Sequence, residues 1–414
     1  MKNIIKSTFK VVASLLVFGV IMLMPACNDN PDAFVVAEGV PVISYVRLPD
    51  ALKSDSLLTH AFMGSTIAIM GENLRSVNEV WFNDQKSILN TSLMTSTTLI
   101  VVIPTVIPTS VTNKMYLVTL AGDTVKYDFG VDVPAPMINS MKCEQVSAGE
   151  VATIYGDFFL DDPNKPLEVI FPGNIKASHI ISIAKTKIEV EVPVGAQRGQ
   201  LNVKSLYGNG RSSFWFRDNR GIILDWDNTN ANGGWRSGKI GNSNPAGIDG
   251  NYVRFKGALD AAAEDGWAED DFSFNLWGAA NGRSQGDLFS IDPSTAVLKF
   301  EVNVVSAWSS HAMQLIFTPW ATSGTNGYIA DGTTPRALWI PWKATGTYQT
   351  DGWETITIPI KDFKYAHDGK LLEMASAGHY GGLTFFVYHG GSQADGTACT
   401  PEICIDNIRV VPAE

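Results

Sequence analysis

The chain has few cysteines and histidines and no cluster of basic residues. Only four cysteines and six histidines occur in 414 residues, and the histidines are scattered. Cys143, Cys399 and Cys404 have no histidine at metal-ligand spacing, so a zinc site is not indicated. Without a run of Lys or Arg, and with a net charge of −11, the chain would repel a phosphate backbone. We therefore predict no nucleic-acid partner.

Catalytic motifs are also lacking. Neither Gly-x-Ser-x-Gly nor His-Glu-x-x-His occurs in the sequence. A glycosidase needs two carboxylates across the scissile bond. The densest acidic groups, 264–265 and 269–271, are typical of a solvated polar loop. We therefore predict a protein that is not an enzyme and requires no cofactor, and keep a glycoside hydrolase as one alternative.

The N-terminus has the layout of an export signal. Three lysines precede an uncharged apolar run over residues 11–24, and Ala26 and Cys27 follow it. The run is shorter than the roughly 20 residues that a membrane-spanning helix needs. A cysteine after a small residue at this place resembles a bacterial lipobox, which implies that Cys27 is lipidated. The acidic, polar stretch 28–32 resembles the patch that directs some lipoproteins to the outer face of the outer membrane.

Short alternating runs rich in Val, Ile, Thr and aromatics predict β-strands almost everywhere, and two segments repeat each other. Residues 64–71 correspond to 149–156, and 98–104 correspond to 186–193, with offsets between 85 and 95 residues along the repeat. In both units a glycine precedes the strand and another closes it, where we expect positive φ. The pattern resembles the IPT/TIG family of immunoglobulin-like domains, which act as spacers or protein contacts.

The segment from residue 219 onward differs in composition, because nine of the 11 Trp lie there. Its strand at 352–359 and its closing strand at 403–411 resemble those of jelly-roll carbohydrate-binding modules. We therefore predict an all-β chain: two tandem immunoglobulin-like sandwiches followed by a larger jelly-roll-like sandwich. The predicted segments are a signal peptide at 1–26, a lipidated linker at 27–40, IPT/TIG domains at 41–134 and 135–218, and a glycan-binding domain at 219–414.

This order of modules resembles the surface glycan-binding proteins of polysaccharide-utilisation loci. The resemblance implies a lipid-anchored protein of the cell surface and outer membrane. It also implies capture of a plant or microbial polysaccharide beside a porin-type importer, with a companion glycan-binding protein. A protein-binding adhesion or assembly module is the second alternative, because aromatic side chains also serve as anchors of protein interfaces.

The candidate binding residues lie in an aromatic stretch of the last domain. A pyranose ring stacks its C–H face on an indole while amides and Arg bind its hydroxyls. Alternation places Trp339 on the face opposite Leu338 and Ile340, so Trp339 is exposed if those two point inward. The candidates for glycan binding are Trp308, Trp320, Asn326, Tyr328, Arg336, Trp339 and Trp342.

A structural calcium ion and a disulfide are two further expectations. Jelly-roll modules of the kind that the segment resembles often hold calcium between the first and last strands, where Asp225 and Asp406 occur. Calcium takes six to eight oxygen ligands, and the sequence does not identify the others. Cys399 and Cys404 are close enough in sequence for a small disulfide loop in an exported protein.

Overall fold

The computed structural model describes residues 39–162, 165–230, 235–236, 239–261, 269–322, 331–388 and 396–413. The expectation of an all-β chain is confirmed. Two compact units divide the sequence between Val133 and Pro134. Helices in the described ranges are short, and none has the length and hydropathy to cross a membrane. They are the α-helix Glu269–Phe272 and the 3₁₀ turns Ala51–Lys53, Leu74–Ser76, Thr91–Leu93, Ala279–Asn281, Pro293–Thr295, Pro341–Lys343 and Ile360–Asp362.

The first unit is a small sandwich that we call the first domain. Its strands are β1 (Val42–Arg47), β2 (His60–Phe62), β3 (Thr66–Glu72), β4 (Val77–Phe82), β5 (Gln85–Lys86), β6 (Thr98–Val102), β7 (Lys114–Thr119), β8 (Thr124–Asp128) and β9 (Gly130–Asp132). They form a β1-β3-β6 sheet, a β5-β4-β7-β8 sheet and a parallel β2-β9 pair. Alternate residues such as Ile67, Ile69 and Leu117 fill the core between the sheets.

The second domain opens the second unit and has a core of its own. Its strands are β10 (Met137–Met141), β11 (Val151–Asp157), β12 (Glu168–Phe171), β13 (Ile175–Lys176), β14 (Ile180–Ala184), β15 (Lys187–Glu191), β16 (Asn202–Ser205) and β17 (Gly208–Arg211). Two four-stranded sheets, β10-β11-β15-β14 and β13-β12-β16-β17, face each other.

The repeat seen in the sequence reappears in the backbone. Both β1–β3 and β10–β11 contain a register shift near the start of the pairing. The prediction of positive φ at Gly71 and Gly156 is wrong. A Cβ at either would lie 1.9 Å from a carbonyl oxygen, of Val42 and Met137 respectively, so the absent side chain permits a close strand contact. Positive φ occurs instead at the preceding glycines, Gly64 and Gly149.

The third domain is a larger sandwich. Its strands are β18 (Ile222–Leu224), β19 (Trp235–Arg236), β20 (Lys239–Gly241), β21 (Tyr252–Lys256), β22 (Ser273–Leu276), β23 (Ala296–Ser306), β24 (Ala312–Thr318), β25 (Arg336–Trp339), β26 (Glu354–Pro359), β27 (Gly382–Tyr388) and β28 (Glu402–Pro412). A six-stranded sheet, β20-β21-β28-β23-β26 with β18 beside β28, packs on a five-stranded sheet, β19-β22-β27-β24-β25. Cys143, Cys399 and Cys404 are free thiols, so the structure does not contain the suggested disulfide.

A buried ion network joins the second and third domains. Glu144 of the second domain accepts hydrogen bonds from Lys299 Nζ at 2.8 Å and from Arg409 Nη2 at 2.9 Å. Arg409 also pairs with Glu301 at 2.7 Å, and both side chains are fully buried. Because isolated charges are costly to bury, the four groups stabilise the structure only as a set. The two domains therefore form one compact unit.

Candidate glycan-binding face

The five-stranded sheet of the third domain turns one face toward the core and one away from it. Core residues such as Leu315 on β24 and Phe385 on β27 alternate with residues that point to the other side. The second face of the six-stranded sheet carries Glu301 and Arg409, which contact the second domain. The outer face of the five-stranded sheet comprises Ser273, Asn275, Ala312, Gln314, Ile316, Thr318, Arg336, Leu338, Thr384, Phe386 and Tyr388.

Polar and aromatic side chains alternate across this outer face. Strand register aligns Asn275, Thr384, Ile316 and Arg336 in one row. A neighbouring row contains Phe386, which lies between β22 and β24. Strands that are buried on both sides are usually apolar on both sides. The polar members here therefore need hydrogen-bond partners, and the structure provides them for Arg336, Gln314 and Thr384.

A hydrogen-bond network fixes the polar members in place. Arg336 Nη1 donates to Gln314 Oε1 at 2.7 Å, and Gln314 Nε2 donates to the carbonyl of Tyr388 at 3.0 Å. Thr384 Oγ1 donates to Asn275 Oδ1 at 2.8 Å. Arg336 is fully buried and lies 3.7 Å from the half-exposed carboxylate of Asp331. In a site of low dielectric such a network holds each group in one orientation.

The aromatic members form a small cluster separate from the main core. The rings of Phe386 and Tyr388 are stacked, with centroids 5.3 Å apart and planes at 15°, and Ile316 packs beside them. Tyr388 is 8% exposed and Phe386 is fully buried, so these residues form the floor of the face. Leu338 and Trp320 at the edges are half-buried.

Trp339 does not occupy the exposed position that the sequence pattern predicted. Its side chain is half-buried and packs against the main core, with ring centroids 5.5 Å from those of both Trp308 and Phe300. The premise about Leu338 is wrong: Leu338 pairs with Gln314 on the outer face, which turns Trp339 inward. In a strand of only four residues, the alternation does not determine which set of side chains points into the core. The set predicted from the sequence is the wrong one.

Trp308 and Trp342 are also core residues, which contradicts their prediction as stacking platforms. Their exposed fractions are 0% and 2%. The indole of Trp308 donates to the carbonyl of Ser310, and that of Trp342 donates to the carbonyl of His311 at 3.0 Å. An indole whose faces are covered by protein cannot stack on a sugar. Arg336 does lie on the outer face, and Asn326 and Tyr328 lie outside the described residues.

Trp320 lies two residues after the end of β24, in the turn that follows Pro319. Its Nε1 donates to the carbonyl of Arg283 at 3.0 Å. Gly278 and Gly381 approach so closely that a Cβ on Gly278 would lie 2.3 Å from the indole and one on Gly381 2.4 Å from the backbone nitrogen of Trp320. The indole is therefore held in a fixed position beyond the end of β24. Its role in binding stays a prediction.

The residues expected to bind calcium do not fit a closed site. Asp225 Oδ1 accepts hydrogen bonds from three backbone N–H groups and closes its own turn. Asp406 is fully buried, and its Oδ2 has no hydrogen-bond partner. Within the described part of the chain, no three His, Cys, Asp or Glu side chains converge as a metal site. A calcium ion at Asp406 stays a prediction.

The protonation of Asp406 provides a test of this site. Burial, and next the nearby Asp249, raise the pKa of Asp406 to about 9. Its ordinary pKa is near 4, so between about pH 4 and 9 the folded protein binds one proton more than the unfolded chain. Stability then falls as the pH rises through this window, by at most about 1.4 kcal/mol per unit. Asp406→Asn is expected to raise the Tm at pH 8 relative to wild type, and not at pH 4, in thermal melts.

A bound cation would give the opposite result at this position. A cation would keep Asp406 ionised, so that a chelator would lower the Tm of the wild-type protein and Asp406→Asn would destabilise it. An unchanged Tm in the chelator, together with a stabilised variant at pH 8, agrees with a protonated Asp406.

Comparisons with known proteins identify the third domain as a carbohydrate-binding domain. The family model of the surface glycan-binding protein B xyloglucan binding domain matches residues 216–412. The crystal structure of the surface glycan-binding protein PbSGBP-B from Prevotella bryantii is similar, with a TM-score of 0.73. It is 35% identical in sequence, and the match covers 91% of this chain and 100% of that one.

A curated relative is named for IPT/TIG domains. An IPT/TIG domain-containing protein from Bacteroides ovatus is 29% identical over 168 residues, which are 39% of this chain and 33% of that protein. The chain thus spans only about a third of that relative. Given the Prevotella match above, the chain belongs to the surface glycan-binding protein B family. It is a glycan-binding protein and not an enzyme, as the sequence predicted.

Sequence reasoning missed the floor of the outer face. Gln314 and Thr384 are polar residues within strands that are mostly apolar on both faces. Phe386 and Tyr388 point to the same side of the sheet as these two residues. A polar residue inside an apolar strand run was the available signal. This signal lies in strands, whereas the predicted binding tryptophans lie in or near loops.

Proposed function

We propose that the third domain binds xyloglucan on the outer face of its five-stranded sheet. The family model that matches residues 216–412 is named for this polysaccharide. The observation that most supports the location is the buried Arg336–Gln314–Tyr388 network, because this sheet orders polar groups on the side away from its core. Sugar rings would pack over the half-buried Trp320 and Leu338 and over the exposed part of Tyr388, and the buried polar residues would hold these groups in place.

Calorimetric titration of the full chain with xylogluco-oligosaccharides tests this function. We expect a Kd between micromolar and millimolar, which corresponds to about 4–8 kcal/mol. Mixed-linkage glucan, mannan and unbranched cello-oligosaccharides are the comparison ligands. The proposal would be contradicted if xyloglucan gave no heat of binding in the titration, or if the protein released reducing sugar from xyloglucan. The latter would favour a glycoside hydrolase.

We also propose that Cys27 carries a lipid that anchors the protein to the outer membrane. The support is the apolar run over residues 11–24 followed by Ala26 and Cys27. Anchored in this way, the protein would hand captured glycan to a porin-type importer, together with a companion glycan-binding protein.

Replacing Cys27 tests the anchor. Cys27→Ala is expected to move the protein from the membrane fraction to the soluble fraction while its Tm and xyloglucan affinity stay unchanged, because the lipid supplies the membrane affinity. Cys143→Ala, at a buried free thiol, is the control for loss of a cysteine. Retention of Cys27→Ala in the membrane fraction would show that another element anchors the chain.

A further inference from the structure

The second domain has a basic outer face on its β13-β12-β16-β17 sheet. Val169, Phe171 and Val203 point into the core of this domain. The residues between them point outward, and the strand register places Ile170, Asn202 and Arg211 in one row across β12, β16 and β17. Side chains in such a row are separated by the spacing of adjacent strands, about 4.8 Å. A ligand lying on the sheet can therefore contact several of them at once.

Two adjacent depressions mark this face. One, of about 310 Å³, contains Ile170, Asn202, Arg211, Arg198 and Trp215 in its lining. The other, of about 290 Å³, is lined by Lys165, Glu168 and Lys204 among others. Four of the five charged residues that line the two depressions are basic. In a chain with a net charge of −11 this is a local concentration of positive charge, which favours an anionic ligand.

Trp215 forms one wall of the larger depression and is half-buried. The guanidinium of Arg220 lies over its ring, 4.1 Å from the centroid. Asp218, itself fully buried, fixes that guanidinium through hydrogen bonds of 2.9 and 2.7 Å. Arg220 does not line the depression, so the indole is held on one side and presents its remaining surface to the depression. A fixed indole beside the Asn202 amide suits a sugar ring.

Arg198 and Arg211 supply the charge at this indole. Both side chains are exposed, and neither forms an ion pair with any described residue. The guanidinium group binds carboxylates through two parallel hydrogen bonds, which a neutral sugar cannot accept in the same way. A saccharide that carries a carboxylate would satisfy both the indole and the arginines.

We propose that this face is a second glycan site, which recognises uronic acid residues of an acidic polysaccharide. A sugar ring would lie against Trp215, with carboxylates of the chain bound by Arg198 and Arg211. Lys165 and Lys204 would attract carboxylates farther along the chain. Every residue that lines the two depressions lies between Lys165 and Trp215, in the second domain. The site is thus separate from the outer face of the third domain.

Affinity electrophoresis and calorimetry of the full chain with polygalacturonate test the site. The affinity for polygalacturonate should fall at least about tenfold in the double variant Arg198→Gln/Arg211→Gln and in the single variant Trp215→Ala. Binding by the wild-type protein should also weaken when NaCl rises from about 0.05 to about 0.5 M, because salt screens exposed charges. Xyloglucan binding should be unchanged in every variant, which separates a failure here from a failure of the third-domain site.

Matched controls come from the first domain. Trp81 is half-buried with Lys86 over its ring at 5.9 Å, so Trp81→Ala repeats the loss of an indole held by a cation. Lys53→Gln/Lys126→Gln repeats the charge change at exposed positions. Both should bind polygalacturonate as the wild type does. The proposal is overturned if the wild type does not bind polygalacturonate, if controls and site variants lose affinity equally, or if polyphosphate binds as well.

Discussion

Glu144→Ala is expected to lower the free energy of unfolding of the unit formed by residues 134–414 by about 3–5 kcal/mol. The substitution removes the carboxylate that Lys299 and Arg409 share, and both of these side chains are at least 94% buried. Arg409 keeps Glu301, whereas the Lys299 ammonium loses this buried partner. Urea denaturation monitored by tryptophan fluorescence measures the loss, since Trp353 of the third domain packs on the core of the second.

Glu189→Ala is the matched control in the same domain. Its partner Lys187 lies 2.8 Å away, but both side chains are about a third or more exposed. An ion pair of this kind contributes little to stability, because water screens both charges. If the two variants lose similar stability, the buried network does not hold the domains together. A third domain expressed from residue 219 lacks Glu144, so we expect it to be less stable than the same domain within the full chain.

Trp320→Ala and Tyr388→Ala are each expected to reduce xyloglucan affinity about thirtyfold. Removal of one well-placed aromatic at a binding site commonly costs about 2 kcal/mol, and the total for a single module is only about 4–8 kcal/mol. Calorimetric titrations at matched folded fraction, with melts on the same samples, give affinity and stability separately.

Trp308→Ala is the contrasting variant. Its indole is fully buried in the main core, so truncation should cost about 3–5 kcal/mol of stability while the folded fraction keeps its affinity. If Trp308→Ala lost affinity at full stability, or if Tyr388→Ala kept it, the outer face would not be the site.

The sequence predicted those features that depend on local pattern. Strand alternation and the corresponding segments at 64–71 and 149–156 indicated β-sandwiches, and the structure has equivalent strands at both places. The order of the predicted modules and the tryptophan-rich composition of the last segment then indicated a surface glycan-binding protein. These signals are local or cumulative, so one sequence is enough to show them.

Features that depend on parity and on distant contacts could not be predicted. The direction of the Trp339 side chain depends on which face of a short strand points inward. Its neighbour Ile340 caps a 3₁₀ turn, so the strand alternation does not continue through it. Glu144 resembles any surface glutamate in sequence, because its partner Arg409 is 265 positions away. The guanidinium of buried Arg336 donates hydrogen bonds to Gln314 and to the carbonyl of Thr334, which is distant from Gln314 in sequence. Such pairings arise from the sheet register, which the sequence does not display.

A crystal structure of the full chain with a bound xylogluco-oligosaccharide is the most direct test of the site. The account predicts sugar rings on the outer face of the five-stranded sheet, in contact with Trp320 and Tyr388, with hydroxyls near the Arg336–Gln314 network. Density for the sugar at another surface of the third domain, or on the second domain with the outer face empty, would contradict the account.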